Sequence, residues 1–262
     1  MIHPTAIVAT SAKLPSDIEV GPYSLIADNV EFGARCRVGS RSAILNNTII
    51  KENCTIGPGT VIGSQPDSFN SHSDLGGVSV GANTTIREFV VVYQGIDRLS
   101  PTTIGNDSYL MARTLVGSSA RLGQSTIIAN NCSIGAQSII EDHVFIGGSC
   151  VIKPNVRIGT QVMMRGQNAM SLDVPPFLTA YGNDRILGLN IVGLRRAALP
   201  PAARREIKQA FSALYHESQP LSEILASARR RVWTYPQTKA FWDFVATPSP
   251  CGICQKLTRE EP

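Results

Sequence analysis

The sequence predicts a parallel β-helix followed by a small α-helical domain. Counting in sixes from Ile2 to Met170, all 29 positions are aliphatic, Phe or Met except Ser68, Asp74 and Arg98. Glycine directly follows many of these apolar residues. A period of six excludes an α-helix and a simple alternating strand, and it is typical of stacked coils around one apolar interior. The apolar column is therefore predicted to be that interior.

The β-helix is predicted to cover residues 1–176, with tight corners at the glycines. Glycine suits such a corner because it lacks the Cβ that restricts the backbone. A second inward column, four residues after the first, holds small or β-branched residues such as Thr60 and Val144. Four of the six cysteines fall in this column, and we interpret them as core packing, with a metal or redox role as the alternative. They are Cys36, Cys54, Cys132 and Cys150.

Two polar segments interrupt the apolar column. Residues 64–79 and 95–103 contain several Ser, Asp, Gly and Pro residues, which predicts loops ejected from the coils. Loops on a rigid scaffold often form binding sites, although ordinary surface insertions have the same composition.

The chain changes character after the β-helix. Residues 177–199 are predicted to be a connection, and residues 200–246 a domain of short helices with apolar residues three or four apart. Residues 247–262 are predicted to be a flexible tail. This tail holds Cys251 and Cys254 as a lone CxxC, and because no second ligand pair lies nearby we predict no metal site.

Composition and charge narrow the functional classes. The net charge of +4 is too small to indicate nucleic-acid binding. No apolar run approaches the ~20 residues that a membrane-spanning helix needs, and the N-terminus lacks the regions of a signal peptide. We therefore expect a cytoplasmic protein without membrane insertion.

Six sequence motifs add a family resemblance to the repeat pattern. They are MIHPTAIV (1–8), IREFVVVYQG (86–95), IIANN (127–131), DVPPFLTAYGN (173–183), GLNIVGLRR (188–196) and TYPQTKAFWDF (234–244). With these motifs the chain resembles the UDP-N-acetylglucosamine O-acyltransferases of lipid A synthesis. The resemblance implies a left-handed β-helix, a homotrimer, and active sites in clefts between neighbouring subunits. It also implies transfer of a 3-hydroxyacyl group from the phosphopantetheine of acyl carrier protein to the 3-hydroxyl of UDP-N-acetylglucosamine, with no other cofactor.

The resemblance places Ser118 where the family has its catalytic histidine. Ser119 stands at the acidic partner of that histidine, and Leu115, Gln137 and Lys153 replace three further histidines. An alcohol needs a proton acceptor to attack an acyl group, and general-base catalysis typically contributes about 10²–10⁴-fold. The usual mechanism of the family therefore lacks its base in this chain.

Other positions of the family's site are partly kept. Asn190 and Arg196 match positions near the nucleotide, and Gly166 matches a small residue of the acyl groove. Arg165, beside Gly166, is interpreted as closing a shortened groove, as binding phosphate, or as a solvated turn residue. A basic C-terminal region suits acidic acyl carrier protein or pyrophosphate, unless it is simply a solvated helix face. It consists of Arg195, Arg196, Arg204, Arg205 and Arg229–Arg231.

The first ejected loop carries further candidates. Asp67 or Ser68 stands at a substrate-binding Asp of the family, and Asn70 replaces a substrate-binding Lys. His72 is the candidate for a replacement base. The other three histidines are interpreted as terminal, turn or helical-domain residues. They are His3, His143 and His216.

Three functions remain open at this point, so the sequence does not decide whether the chain is an enzyme. The first is a divergent acyltransferase that acts on a UDP-amino sugar, with an amine as the acceptor. In this case Lys153, or a water held by Ser118 and Gln137, would assist the proton transfer. The second is a non-catalytic homologue, a trimer that binds a nucleotide sugar or acyl carrier protein in a structural or regulatory role. The third is the family's O-acylation with an unrecognised base such as His72.

Overall fold

The computed structural model describes residues 1–66, 75–216, 219–255 and 257. In this part of the chain, 26 short strands form three sheets and four helices follow them. Strands of neighbouring coils pair in parallel with a spacing of 18 residues, as at Leu115 and Ser133. Since three strands of two or three residues make up each coil, the prediction of a parallel β-helix is confirmed.

Each sheet takes one strand from each coil. The first sheet contains β1 (Ile7–Val8), β3 (Leu25–Ile26), β6 (Ala43–Ile44), β9 (Val61–Ser64), β12 (Val91–Tyr93), β15 (Leu115–Val116), β18 (Ser133–Ile134), β21 (Val151–Ile152) and β24 (Ala169–Met170). The second contains β4 (Glu31–Phe32), β7 (Thr48–Ile50), β10 (Val78–Val80), β13 (Thr102–Ile104), β16 (Arg121–Leu122), β19 (Ile139–Ile140) and β22 (Arg157–Ile158). The third contains β2 (Glu19–Val20), β5 (Arg37–Val38), β8 (Thr55–Ile56), β11 (Thr85–Ile86), β14 (Tyr109–Leu110), β17 (Ile127–Ile128), β20 (Phe145–Ile146), β23 (Met163–Met164), β25 (Leu178–Ala180) and β26 (Ile186–Leu189).

The apolar column forms the interior of the β-helix. Ile44, Ile62, Ile134 and Met164 are all fully buried, and the other members of the column from Val20 onward are buried as well. Side chains alternate between inside and outside along such short strands, so one apolar residue per strand is sufficient to fill the interior. This column is the part of the sequence that determines the fold.

The two ejected loops add residues without shifting the register of the coils. Val61 pairs with Val91, 30 residues later, and Val91 pairs with Leu115, 24 residues later, instead of the usual 18. The extra residues leave the coil between β9 and β10 and between β12 and β13, as predicted. The loops touch each other through an antiparallel bridge between Gly76 and Gly95.

At most corners glycine is needed for space and not for backbone freedom, and Gly63 (φ 89°) is an exception with left-handed backbone. A Cβ added to Gly117 would lie 2.6 Å from the backbone nitrogen of Ala136 in the next coil. Left-handed backbone occurs instead two residues later, for example at Ser119 (φ 58°) and Gln137 (φ 59°). We had attributed these glycines to backbone freedom. At most corners that explanation was wrong, because the close approach of the next coil is what excludes a side chain.

The second inward column forms a repeated hydrogen bond between coils. Ser42 Oγ donates to the carbonyl of Gly57 (2.9 Å), and Ser138 Oγ donates to that of Lys153 (3.0 Å). Cys36 and Cys132 donate their thiols in the same way, to Lys51 and Gly147, at 3.0 and 3.1 Å. The cysteines thus take a place that serine or threonine fills elsewhere, which agrees with their interpretation as core packing.

The β-helix continues beyond residue 176 before the helices begin. Strand β25 pairs in parallel with β23, and β26 then turns back on β25 as an antiparallel strand. The helices are α1 (Ile191–Arg196), α2 (Pro201–His216), α3 (Leu221–Arg230) and α4 (Pro236–Ala246). Among the described residues, no helix has the length and apolar content required to cross a membrane.

A buried ion pair joins the last coils to the C-terminal segment. Arg157 Nε donates to Asp173 Oδ2 at 2.7 Å, and its guanidinium lies 4.6 Å from the ring centre of Phe244 in α4. Asp173 also pairs through its backbone with residues 252–254. This part of the tail, which we expected to be flexible, is therefore packed, and Cys254 is fully buried.

Candidate active site

The Ser118 corner connects the first sheet to the second. We define it as residues 117–120, 135–138 and 153–156, which stack in successive coils. Ser118, Gln137 and Lys153 all lie on this corner, and the backbone N–H of Gln137 donates to the carbonyl of Ser118 at 2.8 Å. The fold therefore brings together the three residues that the resemblance assigned to one site.

The second loop, residues 95–103, contacts the Ser118 corner at Ser119. Ser119 Oγ donates to the carbonyl of Ser100 (2.6 Å) and accepts from the backbone N–H of Ile96 (3.0 Å). Its own N–H donates to Thr102 Oγ1 at 2.8 Å. Ser118 and Ser119 are buried, at 5% and 7% exposure. The two positions that the resemblance assigns to the family's base and its acidic partner thus hold serines, and Ser119 anchors a loop.

A cleft of about 1030 Å³ adjoins the Ser118 corner. It lies between the second loop, the outer face of the second sheet and α4, and both Ser119 and Gln137 line it. Its ionisable residues include Glu141, whose carboxylate accepts from the backbone N–H of Thr160 at 2.7 Å. Burial raises the pKa of Glu141 above its usual value.

The His143 corner is the next corner along the coil and connects the second sheet to the third. We define it as residues 123–126, 141–144 and 159–162. A cleft of about 1010 Å³ opens beside it, toward α1. The outer face of the third sheet contributes Ile127, Phe145 and Met163 to this cleft, and the polar side chains around them are those of His143, Gln161, Arg165, Asn190 and Arg196.

Asn190 fixes α1 against the His143 corner. Its Oδ1 accepts from the N–H of Gly193 at 2.9 Å, which caps the helix, and its Nδ2 donates to the carbonyl of Gln161 at 2.8 Å. Arg196 at the other end of α1 is exposed, and the described residues offer its guanidinium neither a hydrogen bond nor an ion pair. The cleft therefore has a fixed amide on one side and a free cation on the other.

Gln161 presents an unused acceptor in the same cleft. Its Oε1 is buried and has no hydrogen-bond partner among the described residues. Buried amide oxygens are normally paired, so this atom is suited to a donor from a bound molecule or from water.

Arg165 lines this cleft, and Gly166 follows it in the chain. The guanidinium of Arg165 stacks 5.3 Å from the ring centre of Tyr181, and Gly166 is exposed beside it. Arg165 lines the cleft that holds His143, so both lie on the same side of the molecule. The remaining candidates, Asp67, Ser68 and His72, lie outside the described residues.

No group of three or more metal-ligating side chains is found in the described part of the chain. His3 is exposed near the N-terminus and hydrogen-bonds to Thr5, and His216 packs edge-on against Phe211 in α2. Neither histidine lines the two clefts described above.

Comparison with known proteins gives the same family along the chain. A model described as UDP N-acetylglucosamine O-acyltransferase, domain 2, matches residues 173–254, and one for bacterial transferase hexapeptides matches residues 31–64. The acyl-[acyl-carrier-protein]–UDP-N-acetylglucosamine O-acyltransferase of Sulfurihydrogenibium sp. is 46% identical, over 99% of this chain and 96% of its own. The enzyme of the same name from Chlamydia caviae is 37% identical, over 96% and 91%. The chain belongs to the UDP-N-acetylglucosamine O-acyltransferase family.

Solved structures of the UDP-N-acetylglucosamine acyltransferase family share the whole architecture. The Francisella novicida enzyme superposes with a TM-score of 0.92 at 25% identity, covering 99% of this chain and 95% of its own. The Campylobacter jejuni enzyme gives 0.90 at 26% identity, covering 99% and 100%. The predicted left-handed β-helix with C-terminal helices is thereby confirmed.

The sequence did not indicate to us that His143 lines this cleft. We interpreted it as a turn residue, which its left-handed backbone (φ 58°) agrees with, but it also lines the cleft that contains Asn190 and Arg196. The 18-residue spacing of Ser125, His143 and Gln161 would have placed these three residues on one corner. The folding of α1 back onto that corner could not be seen from spacing alone.

Proposed function

We propose that the chain transfers a 3-hydroxyacyl group from acyl carrier protein to a UDP-amino sugar bound in the cleft of the His143 corner. The observation that carries this proposal is the composition of that cleft. The apolar side chains of Ile127, Phe145 and Met163 suit an acyl chain, and the cation of Arg196 suits a pyrophosphate. Family membership supports the same substrates, since the Sulfurihydrogenibium relative is named for them.

The basic C-terminal region supports acyl carrier protein as the donor. Arg195 and Arg196 end α1 and are exposed, and Arg205 is exposed on α2. Arg231 stacks 4.3 Å from the ring centre of Trp233, which holds its charge at the surface. Clustered guanidinium groups attract an acidic carrier protein and can pair with its carboxylates.

We further propose that the chain works as a homotrimer. Ile127 and Phe145 on the outer face of the third sheet are each 37% exposed in the single chain, and a neighbouring subunit would cover part of this apolar surface. The trimer itself rests on the family resemblance. The cytoplasmic location that we expected from the hydropathy of the sequence is likewise a proposal.

The test is binding followed by turnover with the full-length protein. Calorimetry with UDP-N-acetylglucosamine and with its 3-amino analogue measures whether the cleft is occupied. Acyl carrier protein loaded with short or long 3-hydroxyacyl chains is then added, and product is followed by mass. Transfer to either acceptor supports the proposal and identifies the acceptor. Binding without transfer to either acceptor contradicts it.

One observation favours a second function, a non-catalytic homologue that binds the nucleotide sugar or the carrier protein. Ser119 donates to Ser100 and accepts from Ile96, so the corner used for catalysis elsewhere in the family has become a support for a loop. Saturable binding with no transfer from any loaded carrier would be the result expected of this homologue.

A further inference from the structure

We propose that His143 is the general base for acyl transfer in this chain, an inference that rests on the proposed function. His143 lies one corner away from the position that the resemblance assigns to the family's histidine. In the described part of the chain it is the one histidine that lines a cleft together with Asn190 and Arg196.

The imidazole of His143 is free to act. The side chain is exposed at the corner, and the described residues form no hydrogen bond with either ring nitrogen. The backbone holds the residue in place, because its N–H donates to the carbonyl of Gln124 at 2.9 Å. Imidazole is the side chain that exchanges a proton most readily between about pH 5 and 8, and so it suits this role.

The alternatives on the Ser118 corner are less suited to accept a proton. Ser118 is buried, Gln137 carries an amide that does not titrate, and Lys153 is exposed to solvent. Lys153 also lines neither of the two clefts.

Neighbouring groups suit an acceptor hydroxyl or amine beside His143. Gln161 occupies the same place on the corner one coil later, and its buried Oε1 has no partner among the described residues, so it can accept from a second polar group of the sugar. The charged groups around the cleft are Arg165 and Arg196, together with Asp142 beside His143 on the corner. The Asp142 carboxylate is engaged by the backbone N–H of Gln124 at 2.9 Å, so it does not compete for the imidazole.

The proposed step conserves atoms and charge. The sugar oxygen or nitrogen attacks the thioester carbonyl carbon of the loaded carrier, and its proton passes to the free ring nitrogen of His143. The tetrahedral intermediate then collapses with cleavage of the carbon–sulfur bond. The imidazolium returns the proton to the departing thiolate, which leaves the carrier as its thiol and the enzyme unchanged.

The test compares His143→Gln and His143→Ala with a matched control, His3→Gln, in which an exposed histidine at the N-terminal end is replaced. We expect kcat to fall by about 10²–10⁴-fold in both His143 variants and to be unchanged in the control. Calorimetric binding of UDP-N-acetylglucosamine should stay within about threefold, because the base contributes mainly in the transition state. Added imidazole should restore part of the activity of His143→Ala, and the acidic limb of the pH profile should disappear in His143→Gln.

The outcomes separate this inference from the function on which it rests. Transfer by the unmodified chain together with kcat within about threefold in His143→Gln overturns the assignment and leaves the proposed function standing. A fall in kcat with no rescue by imidazole and an unchanged pH profile also overturns it, because this result indicates a structural role. No transfer by the unmodified chain overturns both. Thermal melting of each variant identifies a loss caused by unfolding, which we do not expect at an exposed corner position.

Discussion

The Ser118 corner and the His143 corner have the same backbone geometry, but their side chains are used differently. Ser119 and His143 both adopt left-handed backbone, at φ 58° in each case. The hydroxyl of Ser119 binds the second loop, because it donates to the carbonyl of Ser100 and accepts from the N–H of Ile96. The imidazole of His143, in contrast, has no hydrogen bond among the described residues.

This comparison shows how two corners with the same backbone can use their side chains in different ways. The coil repeats its corner three times per turn, and the backbone hydrogen bonds between coils do not depend on the corner side chain. A corner can therefore exchange a catalytic residue for a structural one at little cost, and a second corner can present a new one.

The largest effect is expected from Arg157→Ala, beside the cleft of the Ser118 corner. Arg157 Nε donates to the fully buried Asp173 at 2.7 Å, and removal of the guanidinium leaves a buried negative charge without a counter-charge, which typically costs about 3–5 kcal/mol, although the backbone N–H of residue 157 still donates to Oδ1. Chemical denaturation measures the change in unfolding free energy. Lys13→Ala is the matched control, because its pair with Glu31 is exposed and contributes about 0–1 kcal/mol. Equal losses in the two variants would contradict the role of Arg157.

The next effect concerns the His143 corner. Arg196→Ala should weaken UDP-N-acetylglucosamine binding by roughly 10–100-fold, since a hydrogen bond to a charged group contributes about 1.5–3 kcal/mol. Arg195→Ala is the control, because Arg195 is on the same helix and does not line the cleft. Calorimetry at constant salt gives both dissociation constants. If Arg195→Ala weakened binding as much as Arg196→Ala, the nucleotide would not lie in this cleft.

A smaller effect is expected from Ser119→Ala on the Ser118 corner. The change removes the two hydrogen bonds to the second loop and should cost about 1 kcal/mol of stability. Amide hydrogen exchange of Ile96, whose N–H donates to Ser119 Oγ, should become faster. Ser149→Ala replaces an exposed serine with the same backbone conformation and should change neither quantity. An unchanged exchange rate at Ile96 would show that the loop is held by other contacts.

The smallest effect concerns pH and Glu141. Burial raises the pKa of its carboxyl in the folded state, so the folded protein binds this proton more tightly than the unfolded chain. The contribution of Glu141 to stability is therefore fully present below the pKa that its carboxyl has in the unfolded chain. It is lost as the pH rises through the higher pKa of the folded state. Glu141→Gln, which keeps an acceptor for the N–H of Thr160, should therefore be slightly more stable than the unmodified chain at neutral pH.

The pH dependence of stability is expected to have the opposite sign at Glu88, which serves as the control. The pKa of its carboxyl is lowered, mainly by Arg87, so its contribution is present at neutral pH and is lost on acidification. Unfolding of Glu141→Gln and Glu88→Gln, measured across acid and neutral pH, separates the two variants. A Glu141→Gln variant that is less stable at neutral pH would contradict the direction given for Glu141.

The sequence was sufficient to predict the β-helix because one residue in six carries the core. Ile44, Ile62 and Ile134 are buried as the periodicity required, and the loops leave the coils where the column fails. Sequence alone also located Ser118, Gln137 and Lys153 on one corner through the family resemblance. These predictions depend on spacing along the chain, which a regular coil converts directly into position.

The unpredicted features depend on contacts between distant segments. The bond from Ser119 to Ser100 requires the second loop to fold back on the corner, and loop conformation has no period. The cleft of the His143 corner requires Asn190 to bond to Gln161, 29 residues earlier. The position of the tail depends on the pairing of Asp173 with Ile253, which no spacing rule indicates.

The 18-residue pairing has a consequence for how the chain acquires its structure. Leu115 meets Ser133 and Ser133 meets Val151, so each coil rests on the one synthesised just before it. Repeat proteins of this kind fold by propagation from neighbour to neighbour, and no closure of a long loop is required. The N-terminal coils can therefore form while the ribosome is still adding later ones. Duplication or deletion of a segment of one coil's length would lengthen or shorten the stack and leave the remaining coils in register.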